Sequence, residues 1–294
     1  MQTYSSGHKG YKVQREETIN IAKQLIENAE AILITAGAGM GVDSGLPDFR
    51  GEEGFWRAYP LLKDKGLHFE DMATPKLFKT DPSLAWAFYG QRLNLYRATT
   101  PHEGFDALKE LVLAKNNNYF IYTSNVDGQF QKAGFDEEKI VEVHGSIHHL
   151  QCVNQCKKMI WSANETKINV DLEKFLALNI PSCPYCGSIA RPNILMFGDW
   201  SYWNEKRFNQ QIARYRKWLK KNKTARIAII EIGAGTTIPT IRYESERVAR
   251  QFLNAYLIRI NPHDDFIDKS VKRALSIPLS GLEGIINLTY FKIK

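Results

Sequence analysis

Short apolar runs that end in polar or glycine-rich turns, and alternate with helical stretches, constrain this chain more than any other feature. Residues 31–35 (AILIT) run straight into Ala36, Gly37, Ala38 and Gly39. Similar runs recur at 119–122 (YFIY), 140–143 (IVEV), 227–232 (IAIIEI) and 256–260 (YLIRI). Apolar runs this short, closed by turns, are the mark of strands buried on both faces of a parallel sheet. Helical stretches at 101–115 and 240–254 separate some of them, and residues 16–30 place Ile19, Ile21, Ala22, Leu25 and Ile26 near helical spacing. The expectation is an α/β, doubly wound, Rossmann-like parallel sheet. Residues 1–15 are polar and read as loosely held.

Two segments break the alternation. Residues 55–97 look helical and carry Trp56, Tyr59, Phe69, Phe78, Trp86, Phe88, Tyr89 and Tyr96, and residues 148–190 carry all four cysteines. Both read as insertions forming a smaller helical and zinc-binding domain (55–97 and 148–190). The nucleotide domain is then 16–54, 98–147 and 191–294.

The net charge of +7 favours acidic partners such as nucleotides. The Lys and Arg are dispersed, and the densest run, 214–223, reads as the solvated face of a helix, so nucleic acid is not the expected partner. No segment reaches the ~18 apolar residues of a membrane helix. The N-terminus lacks the apolar core of a secretory signal, which leaves the cytoplasm as the default expectation. In a reducing compartment, clustered cysteines serve as metal ligands more often than as disulfides. Cys152 and Cys156 form C-x3-C, and Cys183 and Cys186 form C-x2-C. Two such pairs suit one tetrahedral structural zinc; the alternatives are His148 or His149 in place of one cysteine, or two unmetallated thiol pairs.

The glycine turn after the first run lets backbone N–H groups approach a pyrophosphate, although a ligand-free strand-to-helix turn uses the same residues. A dehydrogenase would need G-x-G-x-x-G and a helix of normal length. Here Gly37-x-Gly39 is followed by Val42, and Pro47 interrupts the helix. Residues 123–127 (TSNVD) stand at a strand's carboxyl end, where α/β folds place their chemistry; alone, Asn125-x-Asp127 is equally a turn. His144 closes another strand, a position that also suits a satisfied structural histidine.

Together these segments resemble the sirtuin family over roughly residues 20–290. GAGMGVDSGLPDFRG matches the family's NAD-binding segment, TSNVD stands where it has Thr-Gln-Asn-Ile-Asp, and EVHG where it has Glu-Leu-His-Gly. The resemblance implies that Ala36, Gly37, Ala38 and Gly39 cradle the NAD phosphates. Asp48, Phe49 and Arg50 would lie near the nicotinamide ribose, with Ser124 also on the cofactor. Gly233, Ala234 and Gly235 would reach the phosphates, and Asn261 the adenosine ribose. Asn125 would position ribose hydroxyls or water, and Asp127 the nicotinamide amide. The acyl oxygen of a modified lysine would attack the ribose carbon as nicotinamide leaves. His144 would then take a proton from a ribose hydroxyl, giving free lysine and O-acyl-ADP-ribose.

Residues 191–199 resemble the stretch that pairs with the substrate peptide, which assigns Leu195, Phe197 and Gly198 to the acyl-lysine of a protein substrate. Tyr89-x-x-Arg92 and Ala73 resemble the sirtuins that remove succinyl and malonyl groups. A guanidinium fork binds a distal carboxylate in two places and a tyrosine hydroxyl adds a donor, while Ala73 leaves room for the longer chain. Tyr89 and Arg92 are equally plain i, i+3 helix neighbours.

Departures from the family pattern are Gly41, Leu195, Asp199, Gly128–Gln129–Phe130 in place of Gly-Leu-His, and Gly233–Ala234–Gly235–Thr236 in place of Gly-Thr-Ser. Some of these resemble macrodomain-linked microbial sirtuins, which transfer ADP-ribose to protein. His144 and residues 47–50 keep the deacylase pattern. Deacylation is therefore the leading expectation, ahead of ADP-ribosyl transfer or NAD hydrolysis. Glu231 interrupts an apolar strand, a costly burial unless its carboxylate is paired or faces a site.

Overall fold

A computed structural model describes residues 6–47 and 52–289, with side chains from 15–47 and 54–289. Eleven strands are described: β1 (Ala31–Ala36), β2 (Tyr119–Thr123), β3 (Ile140–Glu142), β4 (Gly145–Cys152), β5 (Ile160–Ser162), β6 (Val170–Asp171), β7 (Leu176–Ala177), β8 (Ala190–Ile194), β9 (Ile227–Ile232), β10 (Ala255–Ile260) and β11 (Ala274–Ile277). The chain divides into two compact units. The first is Met1–Asp43, His102–Thr123 and Tyr215–Lys294; the second is Ser44–Pro101 and Ser124–Arg214. Residues 124–147 and 191–214 thus stand with the helical and cysteine-bearing segments. The reason is β4, which pairs antiparallel with β8 from Gly145–Ile194 to Cys152–Ala190 and binds both flanks of the cysteine segment into one sheet.

In the first unit, β11-β10-β9-β1-β2 form a wholly parallel sheet. Every residue of β1, β2 and β9 is buried, as their unbroken apolar runs require. Each buried Ile or Leu contributes roughly 1.5–3 kcal/mol of transfer free energy. Strand side chains alternate between faces. One face carries Ile232 and Ile260, against which Gly281 and Gly284 of the helix Gly281–Thr289 press closely. The other carries Thr35, Glu231 and Arg259, which are cross-strand neighbours. The helix Thr240–Gln251 lies over that face, with Ser245 Oγ 2.8 Å from Thr35 Oγ1. Helices therefore cover both faces. The chain leaves β1 toward β2 and resumes on β1's other side at β9. The sheet order reverses between β1 and β9, the point where such folds bind ligands.

The expected strands are present to within a residue or two at their ends. The strand β11 was not among them; its sequence (ALSI) is too short to stand out. The first helix is longer than its apolar spacing indicates. It runs Ser6–Glu27, so the polar N-terminal stretch is helical from Ser6; residues 1–5 lie outside the described residues.

In the second unit, the aromatic segment forms five helices, Glu52–Ala58, Pro60–Asp64, Phe69–Met72, Leu77–Thr80 and Pro82–Ala98. Asp81 caps the longest of these by accepting from Leu84 N at 2.9 Å, and Pro82 occupies its first turn. Phe55, Tyr59, Phe78, Trp86, Phe88, Tyr89 and Tyr96 are buried in one core with Ile147, Leu150 and Ile194. Trp86 Nε1 donates to Ala190 O at 2.8 Å, which ties that helix to β8.

Candidate active site

The predicted phosphate loops meet at the order reversal of the first unit. Gly37 N donates to Ile232 O and Gly39 N to Gly233 O, both at 3.0 Å. A Cβ on Gly37 would lie 2.6 Å from Gly233 O, and one on Gly233, whose φ is +59°, 2.5 Å from the Cα and C of Gly39. Glycine is required here because two backbones touch. The amides of Gly37 and Gly39 are consumed by that contact. The backbone donors left over are Ala38, Ala234 and Gly235, whose N–H groups bond to no described residue. Ala234 is nearly inaccessible, and an unpaired N–H at so buried a residue is unusual unless a ligand or water takes it. Asn261 lies beside this loop: its Nδ2 donates to Ala234 O at 3.0 Å, and its Oδ1 accepts from His263 N and Asp264 N at 3.1 and 2.8 Å. Asp48, Phe49 and Arg50 lie outside the described residues.

The catalytic candidates belong to the second unit. Ser124 is buried and its Oγ has no partner among the described residues. Asp127 is buried too, its Oδ1 accepting from Gln129 N at 2.9 Å. Desolvation pushes its pKa up from 3.8 to about 6, against the pull of the Gln129 amide. Gly128 adopts a left-handed φ of +71°, and the His148 ring fills the space where its side chain would be. His148 Nε2 lies 2.8 Å from Asp127 O, and Ile147 N donates to Val126 O at 3.0 Å. The loop of Asn125 and Asp127 is thereby held to the strand that begins just after His144. His144 stands partly exposed at the corner between β3 and β4, and its carbonyl accepts from Leu195 N at 2.9 Å.

Leu195 opens the predicted substrate segment. Phe197 N donates to Ala73 O at 2.9 Å, and the Phe197 ring packs edge-on against Phe69 at 6.1 Å. The turn is fixed from beneath by Arg191, whose Nη1 donates to Asp199 Oδ1 at 2.9 Å and whose Nη2 pairs with Oδ2. Phe197 and Gly198 remain exposed. Arg92 is 7% exposed, with its guanidinium over Phe69, Phe88, Tyr89 and Tyr96 at 5.7, 5.1, 5.9 and 5.6 Å from the ring centroids. The Tyr96 hydroxyl accepts from Nε and Nη2 at 3.2 and 2.9 Å. Tyr89 offers Arg92 its ring face and stacks on Phe78. Burial pushes the Tyr89 phenol up to about 12, so it stays neutral.

The four cysteine sulfurs lie within 4.8 Å of one another, with Cys152–Cys186 and Cys156–Cys183 each at 3.6 Å. Tetrahedral zinc–thiolate geometry would require S···S of roughly 3.8 Å. The donor set and spacing fit one zinc, and four thiolates leave no open position for chemistry.

The sequence model of the Sir2 family matches residues 37–219, more than half of the chain. The chain belongs to the Sir2 family. An NAD-dependent protein deacylase of Thermococcus sibiricus is 34% identical over 182 residues, 62% of this chain and 65% of that protein. The chain thus spans just under two thirds of that relative. One from Leptospira interrogans is 30% identical over 244 residues, covering 82% of this chain and 85% of its own. Among solved structures, a Sir2 homologue in complex with NAD aligns with a TM-score of 0.66 at 22% identity, covering 92% of this chain and 91% of that one. At that identity the likeness establishes the fold.

Within this Sir2 chain, sequence reasoning gave Tyr96 and Phe69 no part in the site and named His148 only as a stand-in metal ligand. Tyr96 was legible in principle, since it stands one helical turn beyond Arg92. His148 and Phe69 carry no local signal, because their roles depend on segments distant in sequence.

Proposed function

We propose that this Sir2-family chain is an NAD-dependent protein-lysine deacylase, with an acyl site suited to chains that end in a carboxylate. One observation carries the reading. The segment from Leu195 to Phe197 is bonded at one end to His144 O and at the other to Ala73 O, next to the aromatic cage of Arg92. A lysine presented along that segment would have a proton acceptor and a buried cation on the same unit.

In this reading His144 accepts a proton from a ribose hydroxyl, a task an imidazole can perform near neutrality. Asn125 and the buried Ser124 Oγ orient the ribose, and Asp127 holds the nicotinamide amide. Ala36, Gly37, Ala38 and Gly39 shape the phosphate loop. The remaining N–H groups of Ala38, Ala234 and Gly235 supply its donors, while Asn261 holds the ribose-side loop. Asp48, Phe49 and Arg50 keep their assignment beside the nicotinamide ribose on the family pattern. Arg92, desolvated among aromatic faces, offers a carboxylate stronger attraction than an exposed cation would. Ala73 leaves room for the acyl chain. Cys152, Cys156, Cys183 and Cys186 hold a structural zinc. The relatives named as NAD-dependent protein deacylases support the reaction class.

The test is mass spectrometry of products formed from NAD with paired acetyl- and succinyl-lysine peptides, with His144→Ala as control. Free lysine peptide together with O-acyl-ADP-ribose, both lost in the control, is the expected result. An ADP-ribosylated protein, or free ADP-ribose with intact peptide, would replace this reading with ADP-ribosyl transfer or NAD hydrolysis.

A further inference from the structure

Glu231 is the charged residue in the apolar strand β9, and its cross-strand neighbour on β10 is Arg259. Both side chains are 1% exposed or less. Arg259 Nε donates to Glu231 Oε1, and Nη2 donates to Glu231 Oε2 and Glu246 Oε1, both at 3.0 Å. The remaining Arg259 nitrogen, Nη1, reaches Phe266 O. A second buried arginine, Arg242, converges on the same place. Its Nη1 donates to Asp264 O at 2.6 Å and lies 3.4 Å from Ala234 O, and its Nη2 donates to Phe266 O. Arg259 thus meets both carboxylates, with Arg250 also on Glu246, and Arg259 and Arg242 together hold three backbone carbonyls of the loops that follow β9 and β10.

Sheet cohesion does not account for this arrangement. The flanking positions Ile229, Ile230, Ile232, Leu257, Ile258 and Ile260 are apolar and buried, and an apolar pair of similar volume stabilises a core as well as a buried ion pair or better. What an apolar pair cannot do is hold carbonyls. A trans peptide places its N–H opposite its C=O. Ala234 O is held by Asn261 and Arg242. The Gly235 N–H therefore points away from Asn261 and Arg242, as one of the remaining donors of the glycine loop.

We propose that Arg242 and the Arg259–Glu231 pair are positioning residues for NAD: they fix residues 261–266 and the Ala234–Gly235 peptide in the orientation that receives the nucleotide. The inference rests on the reading that this loop holds the phosphates. Arg242 is the better handle, because its hydrogen bonds go to carbonyls and its loss strands no buried carboxylate.

The experiment measures ADP-ribose binding by calorimetry and the NAD dependence of turnover in the full chain. It compares wild type with Arg242→Met, Arg242→Lys, Gly233→Ala and the remote core variant Leu108→Ala. Loss of charge-assisted hydrogen bonds of this kind predicts that Arg242→Met weakens ADP-ribose about tenfold. KM for NAD should rise by a similar factor with a smaller change in kcat, Arg242→Lys should recover part of the loss, and Leu108→Ala should keep wild-type affinity despite a lower Tm. Wild-type affinity in Arg242→Met, alongside loss of binding in Gly233→Ala, would overturn the positioning role while leaving the nucleotide site intact. Equal weakening in Leu108→Ala would also overturn it, since general destabilisation would then suffice. Wild-type affinity in Gly233→Ala would overturn the placement of the nucleotide site itself, and this inference with it.

Discussion

Replacing Asp127 with asparagine should make the protein more stable and less active at the same time. Asp127 is 9% exposed, and desolvation raises its pKa from 3.8 to about 6. The folded state therefore binds a proton more tightly than the unfolded state does. Its stability is greatest below the unfolded pKa and falls as pH rises through the folded one, remaining low at neutrality. A shift of about two units corresponds to roughly 3 kcal/mol of opposition to folding at pH 7. The substituted carboxamide would carry no charge at any pH, and its oxygen could still accept from Gln129 N. The His148 contact is to the Asp127 carbonyl and would survive. By scanning fluorimetry at about pH 7.5, Asp127→Asn should melt about 3–6 °C above wild type. That gap should narrow as pH falls from about 6 toward about 4, where the wild-type carboxyl becomes neutral. Turnover with NAD should fall at least tenfold, about 1.4 kcal/mol of transition-state stabilisation, if Asp127 holds the nicotinamide amide. A variant that melts below wild type near neutrality, or a gap that does not change with pH, would refute the desolvation argument.

Further outcomes are expected at other positions. Arg92→Met should reduce desuccinylation far more than deacetylation, by about 1.5–3 kcal/mol or roughly tenfold to 150-fold; equal losses on paired peptides would count against carboxylate recognition. Gly233→Ala places a Cβ 2.5 Å from Gly39 and forces a left-handed residue, so it should cost about 2–4 kcal/mol. A urea-melt loss under about 1 kcal/mol would sink the close-packing explanation. Elemental analysis of wild type should find one zinc per chain, and Cys183→Ser should lose it with a fall in Tm. A full-length, folded wild type without zinc would dismiss the tetrahedral site.

Much of the candidate site was legible because the residues that propose it are local in sequence. The glycine turn after 31–35, the carboxyl-terminal TSNVD, His144 at a strand end and the two cysteine pairs each carry their own pattern. The spacing of Tyr89 and Arg92 was legible, but not how Arg92 is surrounded: Tyr89, turned into the Phe78 stack, presents its ring, and the Tyr96 hydroxyl accepts from the guanidinium.

By itself, the order of residues determined the class of sheet, the turns that carry the candidate site and the candidate metal-ligand set, because strand burial, turn geometry and ligand spacing are short-range properties of a chain. Only the tertiary structure decided which distant atoms meet. Register set Glu231 against Arg259 and so explained a carboxylate that sequence alone made costly. The reversal of sheet order brought Gly233 onto Gly39, and the return of β4 placed His148 in the space that Gly128 leaves open. These contacts arise from strand pairing across tens to hundreds of residues, a long-range interaction that no local period encodes.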